Sequence, residues 1–498
     1  MRASVAAELA GVPTVSIVCE GFQRLALASG RGLGLDDLPL AVLQGHVDIQ
    51  SHEEMIERFR EHTIDQIVRG LTETRDVDDL AGSEPSALDV VVTGSIDDVH
   101  REFLTRGWPD GSPFVPPTVE RVQAYLDGTG HDPFRVIGQA KPSGRDMTVW
   151  SVAVNAVMAG CDRAHLPVLL AMADVLANPQ YGVEHSGNTT GADALVVVSG
   201  PSIAELGFNS EGGALREGAH ANTSVGRWLR LCLRNVCGFT TAEHDKATFG
   251  NSSRVVLAEH EPTLQAIGWS SLAEDLGAAA GADTLTMVRI NSGVLLGSVF
   301  GSSPGEILPY LANGLVRVTG WELTHVYGLG HRAYRPLLVL SPLLARLFAR
   351  HGWSKDDVRA ALFERAVLPA RTFEAFIGEW SNLTAGRRTL TDLVAKGLLP
   401  ERFAESDDPD RLVPIVAAPE EILVAVAGDP NRANAFAFSN DGRHGDWTTA
   451  TIDRSVSLDL ACRIDRPDLC GGGRPRRFSG PGSAAGGCAS RPSSRSAT

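Results

Sequence analysis

Thr14-Val-Ser-Ile-Val-Cys19 is a short β-branched run, and the segments flanking it decide the fold class of this chain. Ser4 to Ala10 can end a helix, Phe22 to Ser29 is amphipathic, and Leu40 to Gln44 is again strand-like. A long amphipathic helix spans Ser51 to Gly70, and Ser51 with Glu54 has the spacing of a capping box. Helix, strand, helix, strand, helix is the alternation built on parallel strands, so the class is α/β. Two or three strands cannot bury both faces of such a sheet. An open edge is therefore expected, to be covered by self-association or by a partner chain.

Further along, residues 76–96 are acidic with Ser and Gly, which suits a linker, and Ala87 to Thr93 within them is a candidate strand. A larger mixed α/β domain is expected over 97–455. Its expected helices are Thr118 to Asp127, Thr148 to Gly160, Leu166 to Ala177, Thr223 to Val236, Ser341 to His351 and Ser354 to Ala366. Its expected strands are Ala194 to Ser199, Ser253 to Ala258, Thr284 to Ile290, Leu337 to Leu340, Val413 to Ala417 and Ile422 to Val426. The organisation is thus a partial parallel-sheet domain over 1–75, the linker, the larger domain and a tail over 456–498. The tail is Gly, Ser, Arg and Pro with almost no apolar content, so it is expected to be disordered, either as a regulatory arm or as a read-through end without a role.

Composition narrows the function classes. The 498 residues are 43% hydrophobic, enough for two or three domains with their own cores. A formal charge of −15 argues against nucleic acid or an anionic membrane as the main partner and favours small molecules or proteins. No run of about 18 apolar residues is present, so no membrane span is expected. The first ten residues start like a signal peptide but include Glu8 and lead into a strand, which places the protein in the cytoplasm. Seven cysteines without a C-x-x-C pair make no disulfide framework, and reduced thiols are expected.

Asn155-Ala-Val-Met-Ala-Gly-Cys161 places an amide and a thiol in an otherwise apolar helix. A buried amide must find hydrogen-bond partners, and a thiol beside glycine can be reached by a substrate. Cys161 is a candidate nucleophile or redox thiol, with Arg163 and His165 as nearby cation or base, or else a small buried hydrophobe. His185 sits in the polar loop Glu184-His-Ser-Gly-Asn-Thr-Thr-Gly191, and His220 precedes the helix expected from Thr223; either is a candidate general base. Asn222 or Thr223 would cap that helix, and Arg227 one turn on would pair with an anion. The alternative makes Asn222 and Thr223 plain caps and His220 a solvated side chain.

The glycines from Gly200 to Gly213 form neither a Walker sequence nor a dinucleotide fingerprint, and no cofactor is assigned. His325 and His331 flank a glycine turn and could reach one metal or act as acid and base, but six residues is a poor ligand spacing and no Cys or carboxylate completes the set locally; no metal ligand is assigned. Asp110 reads as a turn residue, Cys232 and Cys237 as core thiols on different helix faces, and Cys462, Cys470 and Cys488 receive no role.

Glu8-Leu-Ala-Gly-Val-Pro-Thr-Val-Ser-Ile-Val-Cys19-Glu-Gly-Phe22, Leu25-Ala-Leu-Ala-Ser-Gly-Arg-Gly-Leu-Gly34 and Leu38-Pro-Leu40 resemble the second half of the UGSC-motif (seleno)protein domain. Residues 97–455 resemble a companion region found with that domain. The matching residues are Gly107-Trp-Pro-Asp-Gly-Ser-Pro113, Val115-Pro-Pro-Thr118, Asn155 to Cys161, Ser199-Gly-Pro201, Ala221 to Arg227 and Gly352-Trp-Ser-Lys-Asp-Asp-Val358. The resemblance implies a selenocysteine or cysteine followed by Gly-Ser-Cys just before the first helix. That motif is absent, which implies that Met1 is a late start or a degenerate copy and that the family's redox chemistry carries over to no residue of the N-terminal piece.

Two functions are expected from these parts. One is a thiol-dependent oxidoreductase or lyase acting on a small anionic substrate, with Cys161 as thiol, His185 or His220 as base, and Asn155, Asn222, Thr223 and Arg227 lining the site. The other is a non-catalytic binding or partner subunit that has lost the reactive motif. A metal hydrolase built on His325 and His331 is a third, weaker expectation.

Overall fold

A computed structural model of the chain describes residues 2–35, 37–47, 49–73, 86–241, 244–250, 256–327, 333–380, 388–442 and 445–454. The opening alternation is present as α1 (Arg2–Leu9), β1 (Ser16–Cys19), α2 (Gln23–Gly32), β2 (Leu40–Leu43), α3 (His52–Arg58) and α4 (Ile64–Thr72), with a π turn at Phe59–Thr63 between the last two. β1 and β2 run parallel, Ser16 facing Leu40 and Cys19 facing Leu43. The Ser51–Glu54 capping box forms as the spacing requires. This sheet has two strands, and Ile17, Val68 and Leu71 around it stay exposed.

Ala87 to Thr93 is not a strand. Ser86 and Asp89 close a turn on each other through both backbone and carboxylate, which takes the first residues of that run out of extended geometry.

The body begins with α5 (Ile96–Thr105), α6 (Val119–Leu126) and the antiparallel pair β3 (Val136–Gln139) and β4 (Asp146–Thr148). Next come α7 (Val149–Ala159), α8 (Leu166–Ala177), β5 (Asp193–Ser199), α9 (His220–Asn235), β6 (Val256–Ala258), α10 (Glu261–Ile267), α11 (Leu272–Asp275) and β7 (Thr284–Leu296). The second half holds α12 (Pro304–Arg317), β8 (Leu337–Leu340), α13 (Pro342–Arg350), α14 (Lys355–Arg365), β9 (Val367–Pro369), α15 (Ala370–Gly378), α16 (Leu390–Ala395), β10 (Leu412–Pro414), β11 (Leu423–Val426), β12 (Ala435–Asn440) and β13 (Thr448–Thr451).

The central sheet runs β11-β8-β12-β7-β5-β6, with β13 paired to β7. β5 with β6 and β8 with β11 are parallel pairs, while β12 and β7 join them by antiparallel pairing. Both faces are covered. Ala194, Val196 and Val198 of β5 pack into one buried cluster with α7, α8 and α9, whereas Leu195 and Val197 enter another on the opposite face, the period of two expected of a strand. A third cluster gathers α12, α13 and α14 against Leu338, Leu340, Val424 and Val426. The class is α/β, as the opening alternation implied.

β7 is longer than expected, continuing past Ile290 to Leu296. Asn291-Ser-Gly293 looks like a turn, yet it pairs with β12 through an irregularity next to Asn440. Gly293 is required there, because a Cβ would stand 2.6 Å from the Phe436 ring. Among the described residues no helix is long and apolar enough to cross a membrane. The tail with Cys462, Cys470 and Cys488, and also His331, lie outside the described residues.

Candidate functional site

α7 and α9 pack against each other and are joined by three hydrogen bonds. Asn235 donates to Asn155 Oδ1 at 2.8 Å, Trp228 Nε1 to the Val152 carbonyl at 3.0 Å, and His220 Nε2 to the Gly160 carbonyl at 2.9 Å. Asn155 completes its bonding by donating to the Ser151 carbonyl at 2.9 Å. The buried amide has thus found its partners in the neighbouring helix and its own preceding turn.

α7 ends on Gly160, whose left-handed φ of 76° turns the chain so that Cys161 faces back into the core. Burial pushes its thiol up to about 12, against the opposing pull of the neighbouring Ser224 hydroxyl and the Arg227 charge. The expected activators are engaged elsewhere. Arg163 donates to the Tyr125 and Asp127 carbonyls, and buried His165 bonds the Leu206 carbonyl at 2.9 Å. His165 is held below its ordinary value by burial, and its ring lies 6.1 Å from that of His220. Cys161, His165 and His220 therefore share a corner, one in which the thiol is kept protonated at neutral pH.

α9 starts three residues earlier than expected, and its N-cap, Ala219, makes no side-chain cap bond. Asn222 and Thr223 lie inside the first turn instead. The Asn222 amide is held sideways by Asn209, accepting from its backbone N–H at 2.8 Å and donating to its carbonyl at 3.1 Å, so it is not available to cap the helix. The Thr223 hydroxyl is buried.

Arg227 is also committed. It grips Asp110 with two bonds of 2.9 Å and reaches the Pro113 carbonyl at 2.8 Å. Burial works against the Asp110 charge, but the Arg227 hydrogen bonds and charge prevail and hold the carboxyl below its ordinary range. The Asp110 turn seen in sequence is real, with Oδ1 accepting from Ser112 N–H, and it also anchors α9.

The same face of α9 continues with Arg230 and Arg234, at spacings of three and four residues. Arg230 donates to Asp193 Oδ2 at 2.5 Å, and burial holds that carboxyl above its ordinary value in spite of the arginine. Arg234 differs from both. It donates to Thr241 Oγ1 at 2.9 Å and to the Gly107 carbonyl at 3.4 Å, and it has no carboxylate partner among the described residues.

Arg230 and Arg234 line a cavity of about 310 Å³ with Asp110, Asp193, Thr241 and Asp245. Its cover is a pair of loops. Thr248 donates through its N–H to the Thr189 carbonyl, and Lys246 likewise to Gly187. Glycines permit this approach: a Cβ on Gly187 would lie 2.7 Å from the His244 carbonyl, and one on Gly191, at φ 79°, 2.8 Å from Gly250. The first loop is tied to the sheet through Asn188, which donates to Asp441 Oδ2 at 2.9 Å. Asp441 faces the buried Arg289 of β7, which donates in turn to the Tyr181 and Gly182 carbonyls.

His185 is on the other side of that loop, in a second cavity of about 230 Å³ with Glu184, Leu25, Leu33 and Lys141. Phe239 lines both cavities. The structure thus places a cavity beside the 184–191 loop but at the far end of α9 from Cys161. His220 and Arg234 are separated by about 21 Å of helix at 1.5 Å per residue. Cys161, His220, Asn222 and Thr223 belong to one end, and the arginine cavity to the other.

Cys232 and Cys237 are both buried and meet, contrary to the expectation of different faces. The helix ends at Asn235, and Cys237 N–H folds back onto the Cys232 carbonyl. His325 is buried against the Trp321 ring, and no metal-binding group of His, Cys, Asp or Glu occurs among the described residues. The residues that the sequence reading missed are Asp193, Arg230, Arg234, Thr241 and Asp245. The spacing of Arg227, Arg230 and Arg234 was the signal that could have found them.

A mixed α/β protein with a UGSC-like N-terminal region is the class these observations define. Residues 1–73 match the model of the UGSC family. No curated protein matches the chain.

Proposed function

We propose that this protein binds a small anionic molecule in the cavity at the end of α9. The observation that carries the reading is Arg234, a guanidinium on the wall of a half-open cavity with only neutral hydrogen-bond partners. Arg227 and Arg230 each already hold a carboxylate, so the third arginine of the face is the one left to receive a ligand's charge. The cavity volume suits a compact metabolite, being at the small end of ligand sites, which run from about 300 Å³ upward. The buried, protonated thiol of Cys161 favours binding over thiol-dependent oxidoreductase or lyase chemistry. Free thiols at Cys19, Cys161, Cys232 and Cys237 accord with a cytoplasmic protein.

Thermal unfolding in the presence of pyruvate, succinate, 2-oxoglutarate or inorganic phosphate tests this. At least one of these should raise Tm saturably in the wild type and not in Arg234→Gln. If Arg234→Gln responds to all four as the wild type does, or the wild type responds to none, the reading is wrong.

A further inference from the structure

The charges around the cavity say more than that an anion binds. Three carboxylates, Asp110, Asp193 and Asp245, face two guanidiniums, Arg230 and Arg234, so the wall itself carries an excess of negative groups. Asp110 is neutralised from behind by Arg227, and Asp193 by Arg230. Two charges of opposite sign remain without an ionic partner among the described residues. One is Arg234, and the other is Asp245, whose Oδ1 accepts only the Ala247 N–H at 3.1 Å. The two are linked through Thr241, which accepts from Arg234 and forms a β-bridge with Asp245, whose N–H donates to the Thr240 carbonyl. The two do not pair with each other.

A cavity that offers an unpaired cation from α9 and an unpaired anion from the Thr241–Asp245 bridge is complementary to a molecule carrying both charges. A plain anion at Arg234 would meet Asp245 as a like charge in a partly desolvated space, which costs affinity. An ammonium beside the anionic group turns that repulsion into a hydrogen-bonded ion pair. Resting on the anion-binding reading above, we infer that the ligand is an amino-acid-like zwitterion, its carboxylate at Arg234 and its ammonium at Asp245. Leu233 and Phe239, which also line the cavity, supply apolar surface for the rest of it.

The test compares the protein-building L-amino acids, as a mixture and then singly, with the 2-oxo acids that differ from them only in lacking the ammonium. Affinity is measured by titration calorimetry on the full chain. The amino acid should bind at least about tenfold tighter than its 2-oxo counterpart, and Asp245→Asn should reduce that preference to near unity, weakening the amino acid and tightening the 2-oxo acid from which the like charge has been removed. Arg234→Gln should weaken both. If 2-oxo acids bind the wild type as tightly as amino acids, or Asp245→Asn leaves the preference intact, the zwitterion inference is overturned while anion binding stands. If neither class binds, the anion-binding reading falls and takes this inference with it. Circular dichroism of Asp245→Asn and Arg234→Gln confirms that each variant is folded.

Discussion

Asn155 and Asn235 share a side-chain hydrogen bond of 2.8 Å between α7 and α9, so the polar residue that stands out in the apolar helix is a fastener between two helices. Truncating either leaves the other's amide group without its partner in a partly buried interface. Asn155→Ala should cost about 1–2 kcal/mol. A double-mutant cycle with Asn235→Ala, read by urea unfolding, should give a coupling of about 0.5–1.5 kcal/mol; additive single losses would mean the bond contributes nothing.

Cys161 should alkylate slowly. With its thiol pushed up to about 12 by burial, iodoacetamide at neutral pH should modify it more slowly than it modifies glutathione, and at full rate only once the chain is unfolded. The linkage sign follows. A folded value raised above the unfolded one, about 8.5, stabilises the fold below that pH, and the benefit is lost as pH rises through the folded value. Cys161→Ala should therefore flatten the loss of stability between about pH 8.5 and 12. A wild-type alkylation rate above that of glutathione would return Cys161 to the list of reactive thiols.

Asp110 acts in the opposite direction. Its folded carboxyl is held below the ordinary value, so the Arg227 pair stabilises above about pH 4 and its contribution disappears as pH falls through the folded value. Both side chains are about a fifth exposed, at 22% and 23%, so solvent screens only part of the pair. Asp110→Asn should cost roughly 1–2 kcal/mol at neutral pH and markedly less near pH 2. Guanidinium melts at the two pH values check this, and an equal cost at both would show that the charge plays no part.

Gly187→Ala should separate the two cover loops. The added methyl would fall 2.7 Å from the His244 carbonyl and 2.8 Å from the Phe239 ring, neither of which is the far end of a flexible chain. A loss of about 1–3 kcal/mol is expected, together with weaker binding of whichever anion raises Tm in the wild type. Unchanged Tm and affinity would show that the loops tolerate being parted.

Much of the architecture was legible in the residues. The Ser51 capping box, the β-branched runs of β1 and β5 and the Thr148-capped α7 are local signals, and they formed where local chemistry put them. β12, β13 and the second half of β7 were not legible, because their pairing is between residues some 150 positions apart in the chain and Gly293 looks like a turn until Phe436 packs over it. The candidate site divided the same way. Asn155 was read correctly as an amide in need of partners, but nothing local shows that Arg227 would be taken by an aspartate 117 residues earlier while Arg234 would not.

β12 sits between β7 and β8, both of which precede it in the chain, and β13 closes the other stretch of β7. As the polypeptide leaves the ribosome, the two halves of the central sheet stay unjoined until residues 435–451 have been made. The body therefore completes its fold only after residues 435–451 have emerged, and until then β7 presents an unpaired edge to whatever chaperone or neighbouring nascent chain is at hand.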